Sequence, residues 1–452
     1  MFYLYEIFSF LKAYKYLFNS SNLKHIIYAF LLFIPSLVWF NENYFLLLPI
    51  AILLIERNQV GKELFDLEAL KKNKTIIILL TAYLGLSFAN KLSFGLPINC
   101  LKDYYASFLL FPILIFISLY IKNLQFAKYF IALTCLEVIF CLAEYYSGTR
   151  TFFLNNYPPI DKTSDFIYDY RVFGLSVNSS VVSFKIFAAI LLIESLKIPK
   201  SIYYSVLSLL FIGSIITFNR ALILAILFFY FIITLSSIWR HKSAIKKSLT
   251  SPIPLLIFLA IFQLFAKHFF LTELNKNKPE KNKLEAVAFK SYVKSSSRLT
   301  CSSKLQPKMK EGSELNKNLF LTGLLIKNTK NVNTSGRTLI WANYFQFIQE
   351  NLWFGNGSDK LYFREKDPNT GAEKLVHAHN SFIEIIASNG LILTALFLSI
   401  LFLIWKKKNI IFLLTILLFS FFQYGIFWGI SILDVVFMIF VLSPIQLYHE
   451  NK

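Results

Sequence analysis

Charge is what this chain has least of. Only 16% of its 452 residues are Asp, Glu, Lys or Arg, whereas 56% are hydrophobic. A soluble domain carries about a quarter charged residues, so an ordinary soluble fold is excluded. Cysteine is scarce too: four residues, at positions 100, 135, 141 and 301, with no CxxC pair to form a redox or zinc motif. Cys135 and Cys141 fall inside an apolar run and read as packing residues. Pairing of Cys100 with Cys301 requires both to face an oxidising compartment. A small-residue cleavage site is absent from the first 18 residues, "MFYLYEIFSFLKAYKYLF", which read as an amphipathic interfacial helix and not as a signal peptide.

What the chain has instead is apolar length, with 49 Phe and 24 Tyr. Runs of about 18 residues or more recur along most of it, each able to cross a hydrocarbon core about 30 Å thick. Lipid offers no hydrogen bonds, so such runs are expected as helices. The fold class is an all-α polytopic membrane protein. About twelve spans are expected, near 25–40, 43–56, 75–90, 104–121, 125–146, 179–197, 202–218, 221–239, 253–270, 381–404, 409–428 and 430–447. This divides the chain into an N-terminal bundle (1–270), a large loop (271–380) and C-terminal helices (381–452).

The net charge of +20 suits membrane insertion and not nucleic acid. "KKNK" (71–74), "KIPK" (197–200), "RHKSAIKK" (240–247) and "KKKN" (406–409) fall on one side of the expected bundle. The positive-inside rule makes that side cytoplasmic. Part of the excess lies in the 271–380 loop, which could also meet anionic head groups or phosphorylated glycolipids. Its first part is Lys- and Ser-rich and reads as mobile or loosely helical. Its second part, "SGRTLIWANYFQFIQENLWFGNG" (335–357), carries Leu339, Tyr344, Ile348 and Leu352 on one face, with Trp341 nearby, and breaks at Gly355 and Gly357. It is expected as an amphipathic helix on the membrane surface.

Two of the six histidines sit in "VHAHNSFIEIIASNGLI" (376–392), at the mouth of a span. Ser381 and Glu384 fit a capping box, with Ser381 as N-cap. The positive end of that helix favours an anion and disfavours a charged imidazole. A neutral His379 is therefore suited to act as a general base. The plainer reading of His377 and His379 is a pair of interfacial histidines solvated by water and head groups. A metal site is a third reading, but HxH lacks a recognisable third ligand. Three arginines are expected on the same side: Arg171 before a span, Arg220 at the tip of a hairpin formed where "FNRA" (218–221) interrupts the 202–239 run, and Arg337 at the start of the amphipathic helix. An arginine near the membrane core costs about 2.5–3.5 kcal/mol on insertion scales. Snorkelling, or an ordinary polar face, would explain each singly. Together they suit bidentate phosphate recognition.

"HAHNSFIEIIASNGLI" resembles the signature of the O-antigen ligase and polymerase superfamily: His, then Asn, Ser or Gln, nine residues, Gly, two residues, and Gly, Thr or Tyr. His379, Asn380 and Gly390 match. The last position is Leu393, with Thr394 one step late. "TFNRALILA" (217–225) resembles the family's small-residue–Arg hairpin, with Asn219 for the usual Ser. "RVFGLSVNSS" (171–180) and the 335–357 segment resemble its Arg…Gly…Asn and Arg…Trp…Gly-x-Gly stretches. The resemblance implies glycosyl transfer without cofactor or metal, at the periplasmic face of a bacterial inner membrane. Its donor would be an undecaprenyl-diphosphate-linked glycan, and its acceptor lipid A–core or another glycolipid. His379 would take the acceptor's proton. Arg220, Arg337 and Arg171 would hold the leaving diphosphate, with Asn380, His377, Gly390 and Trp341 in support. No DxD motif is present to hold a metal.

Polymerases and protein O-oligosaccharyltransferases share the signature. A transporter is the reading from a different class, since Glu137 and Asp434 fall inside expected spans. The phosphate-binding candidates, however, lie at one face and not at the midplane where transporter sites form.

Overall fold

The computed structural model describes residues 20–37, 47–55, 73–95, 125–150, 171–176, 178–240, 253–274, 307–310, 337–357, 361–366, 373–405 and 410–423, together with 104, 108, 111, 112, 115, 160 and 436. In chain order the elements are α1 (Ser20–Phe33), α2 (Leu47–Ile55), α3 (Lys74–Ser93), α4 (Phe126–Ser147), α5 (Ser179–Ile193), α6 (Lys200–Ile216), α7 (Arg220–Arg240), α8 (Ile253–Leu274), α9 (Arg337–Glu350), β1 (Phe363–Lys366), β2 (Glu373–Val376), α10 (Ser381–Ile404) and α11 (Ile410–Phe422). Three of these, α3, α4 and α10, are long and apolar enough to cross a membrane, and most of the rest are shorter apolar helices. The expected first 18 residues, most of the spans at 104–121 and 430–447, Asp434, Cys100 and Cys301 lie outside the described residues, as does nearly all of 280–336.

The chain divides into two compact units: Met1–Gly61 with Ile121–Ser291 and Ile445–Lys452, and Lys62–Tyr120 with Tyr292–Pro444. In the first, α5 is the buried centre. Nearly every residue from Val182 to Ile193 is inaccessible, as expected of a helix apolar all round. α4 packs on α1, α5 and α6. Gly213 lets α6 approach closely, because a Cβ there would stand 2.6 Å from Val138 and 3.1 Å from Ile186. α1 ends before the expected residue 40: Pro35 turns the chain into a single 3₁₀ turn at Ile34–Ser36. The 202–239 run does break at its middle, between Ile216 and Arg220.

Among the described residues of this unit the carboxylates of Glu137, Glu144 and Glu194 are buried. Glu137 pairs with Lys185 at 2.7 Å and accepts from the Ser176 hydroxyl at 2.6 Å. The Lys185 ammonium also lies 3.9 Å from the centre of the Phe33 ring. Glu144 accepts the N–H groups of Phe173 and Gly174 at 2.7 and 2.8 Å. Glu137 and Glu144 therefore brace the 171–176 segment.

The second unit packs α3, α9 and α11 on α10. It corrects the all-α expectation, because the 271–380 loop contains an antiparallel β1–β2 hairpin that pairs Phe363 with Val376. Residues 307–310 join it in extended form: Met309 N–H donates to Arg364 O and Arg364 N–H to Pro307 O, each at 2.8 Å. The described part of the Lys/Ser-rich segment is thus docked and not loose. Strands of four residues are too short for alternation to register, and only a turn signal, "DPNTG" (367–371), separates them. Tyr344, Ile348, Leu361, Phe363, Ala378, Ile383 and Ala387 form the core beneath.

The amphipathic helix is α9, which ends at Glu350, ahead of the expected glycines. Its inner face also differs from the apolar stripe. Tyr344 and Ile348 are buried, but so are Asn343 and Gln346, while Leu339 and Leu352 are only half-buried. Asn343 is satisfied there. Its side chain takes the Lys310 N–H at 2.7 Å and donates to Lys310 O at 3.0 Å.

Candidate active site

β2 delivers the chain directly into the turn His377–Asn380. His379 has φ +52, a left-handed backbone that costs a non-glycine residue about 1–2 kcal/mol. Such strain persists only where its surroundings impose it, and here they are identifiable. The Trp341 indole donates to Ala378 O at 2.6 Å. Glu384 Oε1 accepts the Ala378 N–H at 3.0 Å. His377 Nδ1 accepts the His379 N–H at 3.2 Å. The two imidazoles lie 3.8 Å apart, centre to centre, tilted by 53°.

The helix cap is Asn380 and not Ser381. The Asn380 side-chain Oδ1 accepts from Phe382 N and Ile383 N at 3.0 and 3.1 Å. Its side chain is the right length to do so from the extended residue, leaving Ser381 as the first helical residue. The Ser381 hydroxyl donates instead to Gln423 O at 3.1 Å. Glu384 reaches back two residues beyond the cap, to Ala378, so the expected Ser381–Glu384 box does not form.

Arg337, the first residue of α9, donates to Phe422 O at 3.3 Å. With Ser381 on the next carbonyl, α9 and α10 begin at the same end of α11, where cationic and hydroxyl donors satisfy the last carbonyls. Arg337 is thus in part a strut of this unit. Burial, and after it the Glu384 carboxylate, hold the Tyr344 phenol well above its ordinary value. It stays a donor, to Leu361 O at 2.7 Å.

α10 is not one straight helix. Gly390 has φ 66 and ψ 178, a conformation reserved for glycine. The break frees backbone groups that the 351–357 turn takes up. Leu391 N–H donates to Leu352 O at 2.8 Å and Asn356 N–H to Ser388 O at 3.3 Å. A Cβ at Gly390 would sit 2.3 Å from Trp353 O, and one at Gly355 2.5 Å from Ser388 O. From α3, Asn90 donates to Phe354 O at 2.6 Å and Lys91 to Gly357 O at 3.2 Å. The second unit thus holds all of Arg337, Trp341, His377, His379, Asn380 and Gly390; Trp341, His377 and His379 meet at the turn, whereas Gly390 lies ten residues along α10 against the 351–357 turn.

Arg220 and Arg171 belong to the first unit. Arg220 is exposed at the head of α7. It follows Phe218, buried and left-handed at φ 50, and Asn219, whose Oδ1 accepts from Ala221 N and Leu222 N at 3.2 and 3.3 Å. This repeats the His379–Asn380 design: a left-handed residue, then an asparagine cap. Arg171 is half-buried, and its carbonyl accepts from Arg150 Nε at 3.0 Å. Arg150, which the sequence reading missed, lies 5.3 Å over the Phe173 ring. Its only sequence signal is a lone cation after the α4 helix stop at Gly148. Among the described residues no group of three or more His, Cys, Asp or Glu is arranged to hold a metal ion.

The O-antigen ligase family profile matches residues 205–398. Those residues are a domain of the O-antigen ligase family. The match contains Arg220, Arg337, Trp341, His377, His379, Asn380 and Gly390, and leaves Arg171 and Arg150 outside. O-antigen ligases and the related polymerases are glycan-transferring membrane enzymes, in keeping with the apolar helices of both units. No curated protein and no solved structure matches the chain.

Proposed function

We propose that this protein is an O-antigen ligase. It transfers a glycan from undecaprenyl diphosphate to the lipid A–core oligosaccharide at the periplasmic face of the inner membrane. The observation that carries the reading is the His379–Asn380 turn, braced in a strained conformation at the head of α10 and inside the family domain. His379 takes the proton from an acceptor hydroxyl. That oxygen forms a bond to the anomeric carbon as the bond to the diphosphate breaks, and a single in-line displacement inverts the centre. Arg220, with Arg337 and Arg171, stabilises the charge that develops on the leaving diphosphate, so no metal is needed.

A lipopolysaccharide gel on cells lacking the gene tests this. Loss of long glycan from lipid A–core, with lipid-linked polymer accumulating, is the expected result. Cores capped with single repeats would make the protein a polymerase, and an unchanged profile would remove lipopolysaccharide from its substrates.

A further inference from the structure

We propose that His377 and Glu384 are positioning residues for His379, acting on its backbone from two sides of the turn. The inference rests on the assignment of His379 as the base. Three observations carry it. His377 Nδ1 accepts the His379 N–H at 3.2 Å. Glu384 Oε1 accepts the neighbouring Ala378 N–H at 3.0 Å, and the carboxylate is almost wholly buried. The same oxygen stands 3.6 Å from His377 Nδ1, so both acceptors converge on consecutive amides.

The chemistry follows from the atoms. An Nδ1 that accepts a hydrogen bond carries no proton, which places the His377 proton on Nε2. Trp341 holds the Ala378 carbonyl while Glu384 holds its N–H, so the peptide before His379 is fixed at both ends. The His377 acceptor then fixes the amide of His379 itself. Together these hold φ at +52, a value histidine seldom adopts unaided. A reacting group displaced by about 1 Å can lose on the order of 10²-fold in rate, so this backbone control bears on turnover and not on substrate affinity.

The test uses the full-length protein in nanodiscs, with undecaprenyl-diphosphate-linked glycan and lipid A–core as substrates. His377→Phe keeps a ring against His379 but offers no acceptor. His377→Asn removes the ring but returns an acceptor oxygen near the place of Nδ1. We expect His377→Phe to lower kcat about tenfold or more at unchanged acceptor KM, and His377→Asn to recover most of that loss. Glu384→Ala should fall as His377→Phe does, with Glu384→Gln recovering through its amide oxygen. Recovery by Phe and not Asn would overturn the idea, as would a loss in His377→Asn equal to that of His379→Ala, which would put His377 in the chemistry itself. Amide hydrogen exchange across 376–384 supplies a readout independent of transfer. Faster exchange in His377→Phe, slowed again in His377→Asn, is expected. Equal protection in all variants would overturn the positioning role, even where an inactive wild type had already removed the ligase reading.

Discussion

At the scale of single residues, the proposed chemistry depends on what cannot be substituted. His379→Ala should abolish transfer while leaving membrane insertion and abundance unchanged, because its half-buried ring contributes little to the core; transfer and abundance measured on the same membranes decide it. Arg220→Lys should lose most activity, about tenfold or more, since an ammonium cannot reproduce the planar two-donor grip on a diphosphate. Normal turnover in that variant would take Arg220 out of the site. Both residues were legible in the sequence, each an unusual polar group beside a long apolar run. What surrounds them was less so. The cap was misassigned by one residue because Asn380 and Ser381 are both good caps, and only the extended backbone of Asn380 decides between them. Arg150 was missed because its role is to donate to a carbonyl 21 residues away, and no local pattern encodes that.

At the scale of elements, the family-like glycines have a packing reason. Gly390 in α10 and Gly355 in the turn after α9 lie backbone against backbone, each with a positive φ and no room for a methyl group. Gly390→Ala combines backbone strain with a clash against a carbonyl that cannot move aside, so a loss on the order of 3–5 kcal/mol is expected. A thermal midpoint measured on the purified protein should fall sharply, with transfer falling alongside. A midpoint equal to wild type would mean that α10 can straighten. The sequence shows the glycines but not their partners. Helical periodicity runs unbroken through 381–404, so the kink becomes visible only when the 351–357 turn is seen against it. The β hairpin was hidden for a different reason: its strands are four residues each, too short for an alternating pattern to register.

At the scale of the whole molecule, the transport reading rested on intramembrane carboxylates. Glu137 turns out to be neutralised by Lys185 and hydrogen-bonded by Ser176, an arrangement that braces a bundle. Sidedness remains the decisive global property, because a glycan ligase must present His379 to the periplasm. Lys310 reports on it. It belongs to the same unit as His379, and its backbone is clamped by Asn343, so its side chain can be changed without loosening the strand. Among the described residues the ion pair removed is with Glu350 at 3.8 Å, half-exposed on both sides and worth little. Lys310→Cys, in a background with Cys100→Ser and Cys301→Ser, should react in intact cells with a small membrane-impermeant maleimide. Lys197→Cys, in the basic "KIPK" loop that the positive-inside rule assigns to the cytoplasm, should react only after lysis. Reversal of that pattern would turn the molecule over, place His379 on the side where the acceptor is absent, and end the ligase proposal.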